Sequence, residues 1–300
     1  MTKTTKWVLA GIGTVFVLFV VFWGAILFFL FSGDNDQEYS SGNGGTLAIV
    51  ELKDEITNSE NIVQQFKRYR ENPSVKGIVF RIESPGGGVA ASQEIYEEVK
   101  KTRDSGKPVV VSMGSVAASG GYYVACGASK IMANPGTVTG SIGVISQFMN
   151  FDKLLGKVGV GTTTVKSGKF KDTGNPYREM TEEEKKYFQE TIDDVYLQFL
   201  HVVETERHLS DNAARKLADG RIFTGRKAYA DGLVDTLGSY EDAIALAAHL
   251  ANISGTPKII KERKKERLSD FLFGSVAEKI VGLKEDLVSR PMLQYKLTEP

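Results

Sequence analysis

The chain has 300 residues, 42% of them hydrophobic and 25% charged, enough apolar material for one large or two modest globular cores. Lys plus Arg and Asp plus Glu both number 37, so no field of one sign is present to draw in nucleic acid, and nucleic-acid binding is not expected. A single cysteine, Cys126, excludes an intramolecular disulfide and a cysteine-based metal site; four residues after Tyr122 on an expected helix, it reads as a small buried hydrophobe.

Residues 7–31 carry no charged side chain, and at about 1.5 Å per residue they suffice to cross the roughly 30 Å of a bilayer's hydrocarbon. They are expected to form a transmembrane signal anchor. Lys3 and Lys6 precede the run, whereas Asp34, Asp36 and Glu38 follow it. The positive-inside bias then puts residues 1–6 in the cytoplasm and the body on the extracytoplasmic side of the cytoplasmic membrane, as a single-pass protein. No small-x-small cleavage signal follows the apolar run, so the anchor is read as uncleaved. Residues 32–45 (SGDNDQEYSSGNGG) have the composition of a flexible linker. The folded domain is expected over 46–254, and a charged helix and tail over 255–300.

Within that domain, β-branched runs predict strands over 46–52, 75–82, 108–113, 130–133, 141–146 and 161–165. Helical periodicity predicts helices over 58–70, 90–103, 181–206, 211–219, 225–231 and 240–251. The longest opens on Thr181 with a capping-box pattern and carries Phe188, Ile192, Val195, Phe199 and Val202 as one stripe. Such alternation predicts an α/β domain with right-handed crossovers and mainly parallel pairing. The charged run 258–267 (KIIKERKKER) reads as a solvated helix or tail.

Chemistry concentrates around residues 114–125 (GSVAASGGYYVA), where a strand should turn tightly into a helix near Ser119. Ala117, Ala118, Gly120 and Gly121 let backbone crowd one hydroxyl and leave the Gly120 N–H free near a helix start, as an acyl-transfer nucleophile requires. Ser119 would equally serve as a simple helix cap. The pattern is close to a G-x-S-x-G elbow but has Ala117 at the first glycine. The loop ESPGGG at 83–88 has neither a dinucleotide fingerprint nor a Walker lysine; Gly86, held by Pro85, suits a second oxyanion amide facing Ser119. The three histidines, His201, His208 and His249, lie in the C-terminal helical part and read as structural or surface residues, which makes a lysine base attractive. Lys166, Lys169 and Lys171 all lie just past an expected strand, and their spacing does not choose among them.

Several stretches together resemble the signal peptide peptidase A proteases, membrane-anchored bacterial Ser/Lys peptidases, in their short single-domain form. They are SPGG at 84–87, MGSVAASGGYY at 113–123, TGSIGV at 139–144, KSGKFKD at 166–172, EMTEEE at 179–184 and GRIFTGRKAYADGLVD at 220–235. The resemblance implies a Clp-protease and crotonase-like fold of repeated ββα units, with Ser119 as nucleophile and Lys171 as general base. It further implies that Ser141 positions the lysine amine and that Gly86 and Gly120 supply oxyanion amides, with no metal or cofactor. Substrates would be remnant signal peptides and other extended apolar peptides. Subunits would join in a homo-oligomeric ring or dome in which a neighbour's lysine can complete a site. Two other readings are a crotonase-like acyl-thioester enzyme and a catalytically inactive membrane scaffold of the same fold.

Overall fold

The computed structural model describes residues 37–40, 42–262 and 293–297, together with residues 7, 13–14 and 16–24. The chain divides into two units, one of residues 1–38 and 262–289 and one of residues 39–261 and 290–300. In the first, residues 16–24 are helical and exposed; most of the expected anchor lies outside the described residues. Among the described residues no helix is long and apolar enough to cross a membrane. A short strand, β1 (Gln37–Ser40), falls inside the stretch whose composition reads as linker.

The second unit begins with β2 (Thr46–Lys53), α1 (Glu60–Glu71), β3 (Val75–Ser84), β4 (Gly86–Gly88) and α2 (Val89–Asp104). It continues through β5 (Val109–Ala118), α3 (Gly120–Ala125), β6 (Lys130–Ala133), β7 (Val138–Gly140) and α4 (Asp152–Lys157). Then come α5 (Glu182–Arg207), α6 (Asp211–Leu217), β8 (Ile222–Thr224), α7 (Gly225–Ala230), β9 (Thr236–Leu237), α8 (Tyr240–Leu250), β10 (Lys258–Glu262) and β11 (Gln294–Lys296). The main sheet runs β10-β2-β3-β5-β6-β9, every neighbouring pair parallel.

Both faces of this sheet are covered, which is why its strands read as nearly unbroken apolar runs. Along β2, Ala48, Val50 and Leu52 join the larger core, whereas Leu47 and Ile49 point to the opposite side and pack with Ala243, Ala247 and Ala248 of α8. On the larger side Phe66 of α1 meets Phe80 of β3 edge to face at 5.0 Å, both fully buried. Burying one such ring is worth about 1.5–3 kcal/mol. The capping box expected at Thr181 forms, with Thr181 Oγ1 accepting from the Glu184 N–H and the Glu184 carboxylate accepting from the Thr181 N–H. The far half of α5 packs through Val195, Phe199, Leu200 and Val203. Arg207 at its end donates to Asp235 at 3.1 Å. Although burial pushes the Asp235 carboxyl upward, the Arg207 hydrogen bond and charge hold it below the ordinary carboxylate value.

Three expected elements differ. The run 258–267 begins as β10, parallel to β2: Ile260 is 2% exposed in the core while Lys261 reaches out to Glu51 at 2.9 Å. Two isoleucines therefore decide an element that the surrounding lysines disguise; residues 263–267 lie outside the described residues. The 161–165 run forms no strand, and Val165 is 95% exposed. Its β-branched residues have no neighbouring strand, and without one their propensity counts for little. Over 141–146 no strand forms: β7 ends at Gly140, Ser141 takes a positive φ of 51°, and further on Ile145 bridges to Gln294.

Candidate active site

Strand β5 leaves the sheet at Ala118 and α3 starts at Gly120, so Ser119 alone makes the turn. It does so at φ 52° and ψ −116°, a conformation costing a non-glycine residue about 1–3 kcal/mol. The backbone is pinned on both sides: the Ser119 N–H donates to Gly140 O at 2.7 Å, and Ser119 O accepts from the Tyr123 N–H at 2.8 Å. The hydroxyl is the exception. Ser119 is 1% exposed, yet its Oγ has no hydrogen-bond partner among the described residues. A buried polar atom left unpaired calls for a reason, and a nucleophile awaiting its base supplies one.

The small residues around it are required by contact rather than composition. A Cβ on Gly120 would stand 2.6 Å from Ser92 Oγ, and one on Gly121 would stand 2.8 Å from Ser84 O. Gly86, at φ 102°, would direct a Cβ into the Tyr295 carbonyl and to 2.6 Å from the Gly120 nitrogen. Pairing of β5 with β7 sets Ala118 against Gly140, so Ser119 and Ser141 follow each other's partners, and Ser141 is also largely buried. A cavity of about 430 Å³ opens beside Ser141, lined in part by Gln189, Asp193, Tyr196 and Leu297.

The groove next to Ser119 is filled by the chain's own C-terminal strand. β11 lies antiparallel to β4, and on its other side Gln294 exchanges backbone hydrogen bonds with Ile145 at 3.0 and 3.1 Å. Tyr295 is fully buried, stacked on Tyr123 at 5.1 Å and against Phe199 at 4.7 Å, with its hydroxyl donating to Val195 O at 3.2 Å. Lys296 pairs with Glu55 at 2.6 Å. This is the β-augmentation mode of peptide recognition, in which backbone pairing gives affinity and side-chain pockets give selectivity.

That strand also bears on the oxyanion amides. The Gly86 N–H already donates to Ser84 Oγ at 3.2 Å. The Leu297 N–H donates to Pro85 O and the Val89 N–H to Leu293 O, so in the alternating antiparallel pattern Gly87 and Tyr295 form the hydrogen-bonded pair between them. Gly86 itself lies against Gly120 and the Tyr295 carbonyl, since a Cβ on it would stand 2.6 Å from the Gly120 nitrogen and run into Tyr295 O.

Among the lysines, Lys166 binds the Asp172 carboxylate and Lys169 the Glu183 carboxylate. Lys171 is exposed on a turn closed by its own N–H to Gly168 O at 3.2 Å, and its amine has no hydrogen bond or ion pair among the described residues. Within one chain Lys171 does not touch Ser119. The three histidines are exposed. Cys126 is buried, and desolvation pushes its thiol up to about 12, so it behaves as the small hydrophobe expected. Among the described residues no group of three His, Cys, Asp or Glu side chains could hold a metal ion.

The family model described as Peptidase family S49 matches residues 101–254, and one described as Clp protease matches residues 46–138. The chain belongs to peptidase family S49. It is 43% identical to a putative signal peptide peptidase SppA of Enterococcus faecium, over 62% of this chain and 54% of that one. It is 48% identical to the putative protease slr0021 of Synechocystis, over 61% of this chain and 66% of the relative. The matches thus span about half to two thirds of these relatives' lengths. A solved structure of a ClpP1 point mutant from Listeria monocytogenes is similar at 18% identity and a TM-score of 0.45, covering 65% of this chain and 93% of that one. The S49 chain has the Clp-protease-like α/β fold of repeated ββα units and is related to SppA and Protease 4.

Proposed function

We propose that this S49 chain is a membrane-tethered serine endopeptidase that cleaves extended apolar peptides, remnant signal peptides among them, outside the cytoplasmic membrane. The observation that carries this reading is a buried, unpartnered Ser119 hydroxyl on a strained turn beside a groove that holds a peptide as a β-strand. Ser119 attacks the scissile carbonyl, and its proton passes to the neutral amine of Lys171, which Ser141 orients. The developing oxyanion is met by the Gly86 and Gly120 amides. As the tetrahedral intermediate collapses, the C–N bond breaks and the lysine ammonium gives its proton to the leaving amine; the lysine, neutral again, then takes a proton from the water that hydrolyses the acyl-enzyme.

Lys171 is brought to Ser119 by a second subunit in a homo-oligomeric ring or dome. Two features support this. The lysine amine has no partner among the described residues, and the segment carrying it exposes Met149 (66%), Leu154 (59%), Val158 (65%) and Val165 (95%), apolar area that a neighbour would cover. Residues 7–31 anchor the chain. Protease added outside spheroplasts is expected to digest the body while sparing residues 1–6; a protected body contradicts the topology.

The groove's own occupant offers a second test. Incubated with a library of apolar peptides, the wild-type chain should cleave within them, and its intact mass should fall by loss of residues after Tyr295. The Ser119→Ala chain should do neither. Equal masses would show that the tail is a resident strand and not a substrate, and an uncut library would refute the endopeptidase reading.

A further inference from the structure

The EMTEEE stretch is tied to the lysine segment by the Lys169–Glu183 ion pair and, with far more hydrogen bonds, by the side chain of Arg178. The Arg178 guanidinium donates from Nε to Asp172 Oδ2 at 2.9 Å, and from Nη2 to Asp172 Oδ1 at 2.8 Å and to the Asp172 carbonyl at 3.1 Å. The same group donates from Nη1 to Glu184 Oε2 at 2.8 Å, from Nη2 to Glu184 Oε1, and from Nη1 to the Glu179 carbonyl at 3.1 Å. Lys166 adds a second cation to Asp172, and Thr173 Oγ1 reaches Glu184 Oε1 at 3.4 Å. Glu184 is 3% exposed and is already fixed as the reciprocal member of the α5 capping box. One planar fork thus grips a carboxylate next to Lys171 and a buried carboxylate at the start of the longest helix. An exposed turn is thereby tied to the first turn of α5, a footing that its own backbone hydrogen bonds cannot give it.

We propose that Arg178 is a positioning residue for the Lys171 base: by tying Asp172 to Glu184 it sets where the neighbouring amine stands when the lysine segment meets Ser119. The inference rests on Lys171 being the base. Hydrogen bonds from Arg178 and Lys166 hold the Asp172 carboxyl well below the usual range, so the grip persists at every pH where the amine can be neutral. The geometry needs arginine, because a lysine ammonium is a point charge that cannot span two carboxylates in a bidentate fork.

Steady-state cleavage of an apolar fluorogenic peptide by the full chain tests this, comparing Arg178→Ala, Arg178→Lys, Glu184→Gln and Lys171→Ala. A small misplacement of a reacting group costs about 10²-fold, so Arg178→Ala should lose about that in kcat with KM unchanged. Arg178→Lys and Glu184→Gln should fall between it and wild type, the latter because glutamine keeps the capping box but weakens the grip. Added guanidinium should restore part of the Arg178→Ala rate and none of the Lys171→Ala rate. Wild-type kcat in the Arg178 and Glu184 variants beside an inactive Lys171→Ala would overturn the positioning role and leave the base standing. An active Lys171→Ala would instead remove the base itself. If Arg178→Ala does not fold, the other two variants decide, wild-type kcat in both refuting the proposal. So would a joint fall of kcat, KM and melting temperature in Arg178→Ala with no guanidinium rescue.

Discussion

Ser119→Ala is expected to lower kcat on the order of 10⁶-fold, the loss seen when a serine nucleophile is removed from a triad-type site, while melting at or above the wild-type temperature. The unusual part is the second half. Ser119 Oγ is buried without a partner, and leaving such a group unpaired costs a fold about 1–3 kcal/mol. Alanine keeps the turn's backbone, including its positive φ, and deletes only the unsatisfied atom. The site would then be a place where stability is given up for reactivity. Activity and thermal unfolding of the two purified chains decide it. A marked drop in melting temperature would mean that the hydroxyl has a structural partner, and retained turnover would mean that the nucleophile lies elsewhere.

Lys171→Ala is the second large effect, and its neighbours provide the contrast. Loss of a general base costs on the order of 10²- to 10⁴-fold in rate, and here the loss should come in kcat with folding and assembly intact. Lys166 and Lys169 are engaged by Asp172 and Glu183, so neither amine is free to turn to serine. Lys166→Ala and Lys169→Ala should keep most of the activity, Lys166→Ala losing the more because it also loosens Asp172. The base must be neutral to act, so kcat/KM should rise with pH in the wild-type chain. Co-assembled Ser119→Ala and Lys171→Ala subunits should regain activity, since each supplies what the other lacks. Wild-type turnover by Lys171→Ala, with loss on replacing another lysine or a histidine, would overturn the assignment.

Much of this was legible in the amino-acid order. Buried parallel strands such as 75–84 and 109–118 betray themselves as apolar runs because both sheet faces are covered. Thr181 was readable as a helix start because a capping box is a local chemical pattern. The Ser119 turn showed in its cluster of small residues, though their specific collisions with Ser84 and Ser92 belong to the folded sheet. What stayed hidden depends on backbone or on distance. The segment 293–297 has mixed polarity, and beyond the extended backbone that Pro291 favours nothing in it marks a strand, since its place is secured by main-chain bonds to Gly86–Gly88 and Ile145 that any sequence can make. Only Tyr295 carries a signal, and it makes sense only against Tyr123 and Phe199. Spacing leaves Lys166, Lys169 and Lys171 alike, because three lysines in six residues offer no local contrast, and it is the resemblance that singles out Lys171.

The account turns on Ser119 being a nucleophile, and covalent labelling measures that most directly. The assembled chain is treated with an active-site serine acylator such as a fluorophosphonate, and the adduct is mapped by mass spectrometry. The expected result is one adduct per chain on Ser119, absent from Ser119→Ala and slowed in Lys171→Ala. A crotonase-like enzyme or an inactive scaffold would not be modified there. An unlabelled Ser119, or equal labelling of the Ser119→Ala chain at another residue, would contradict the account.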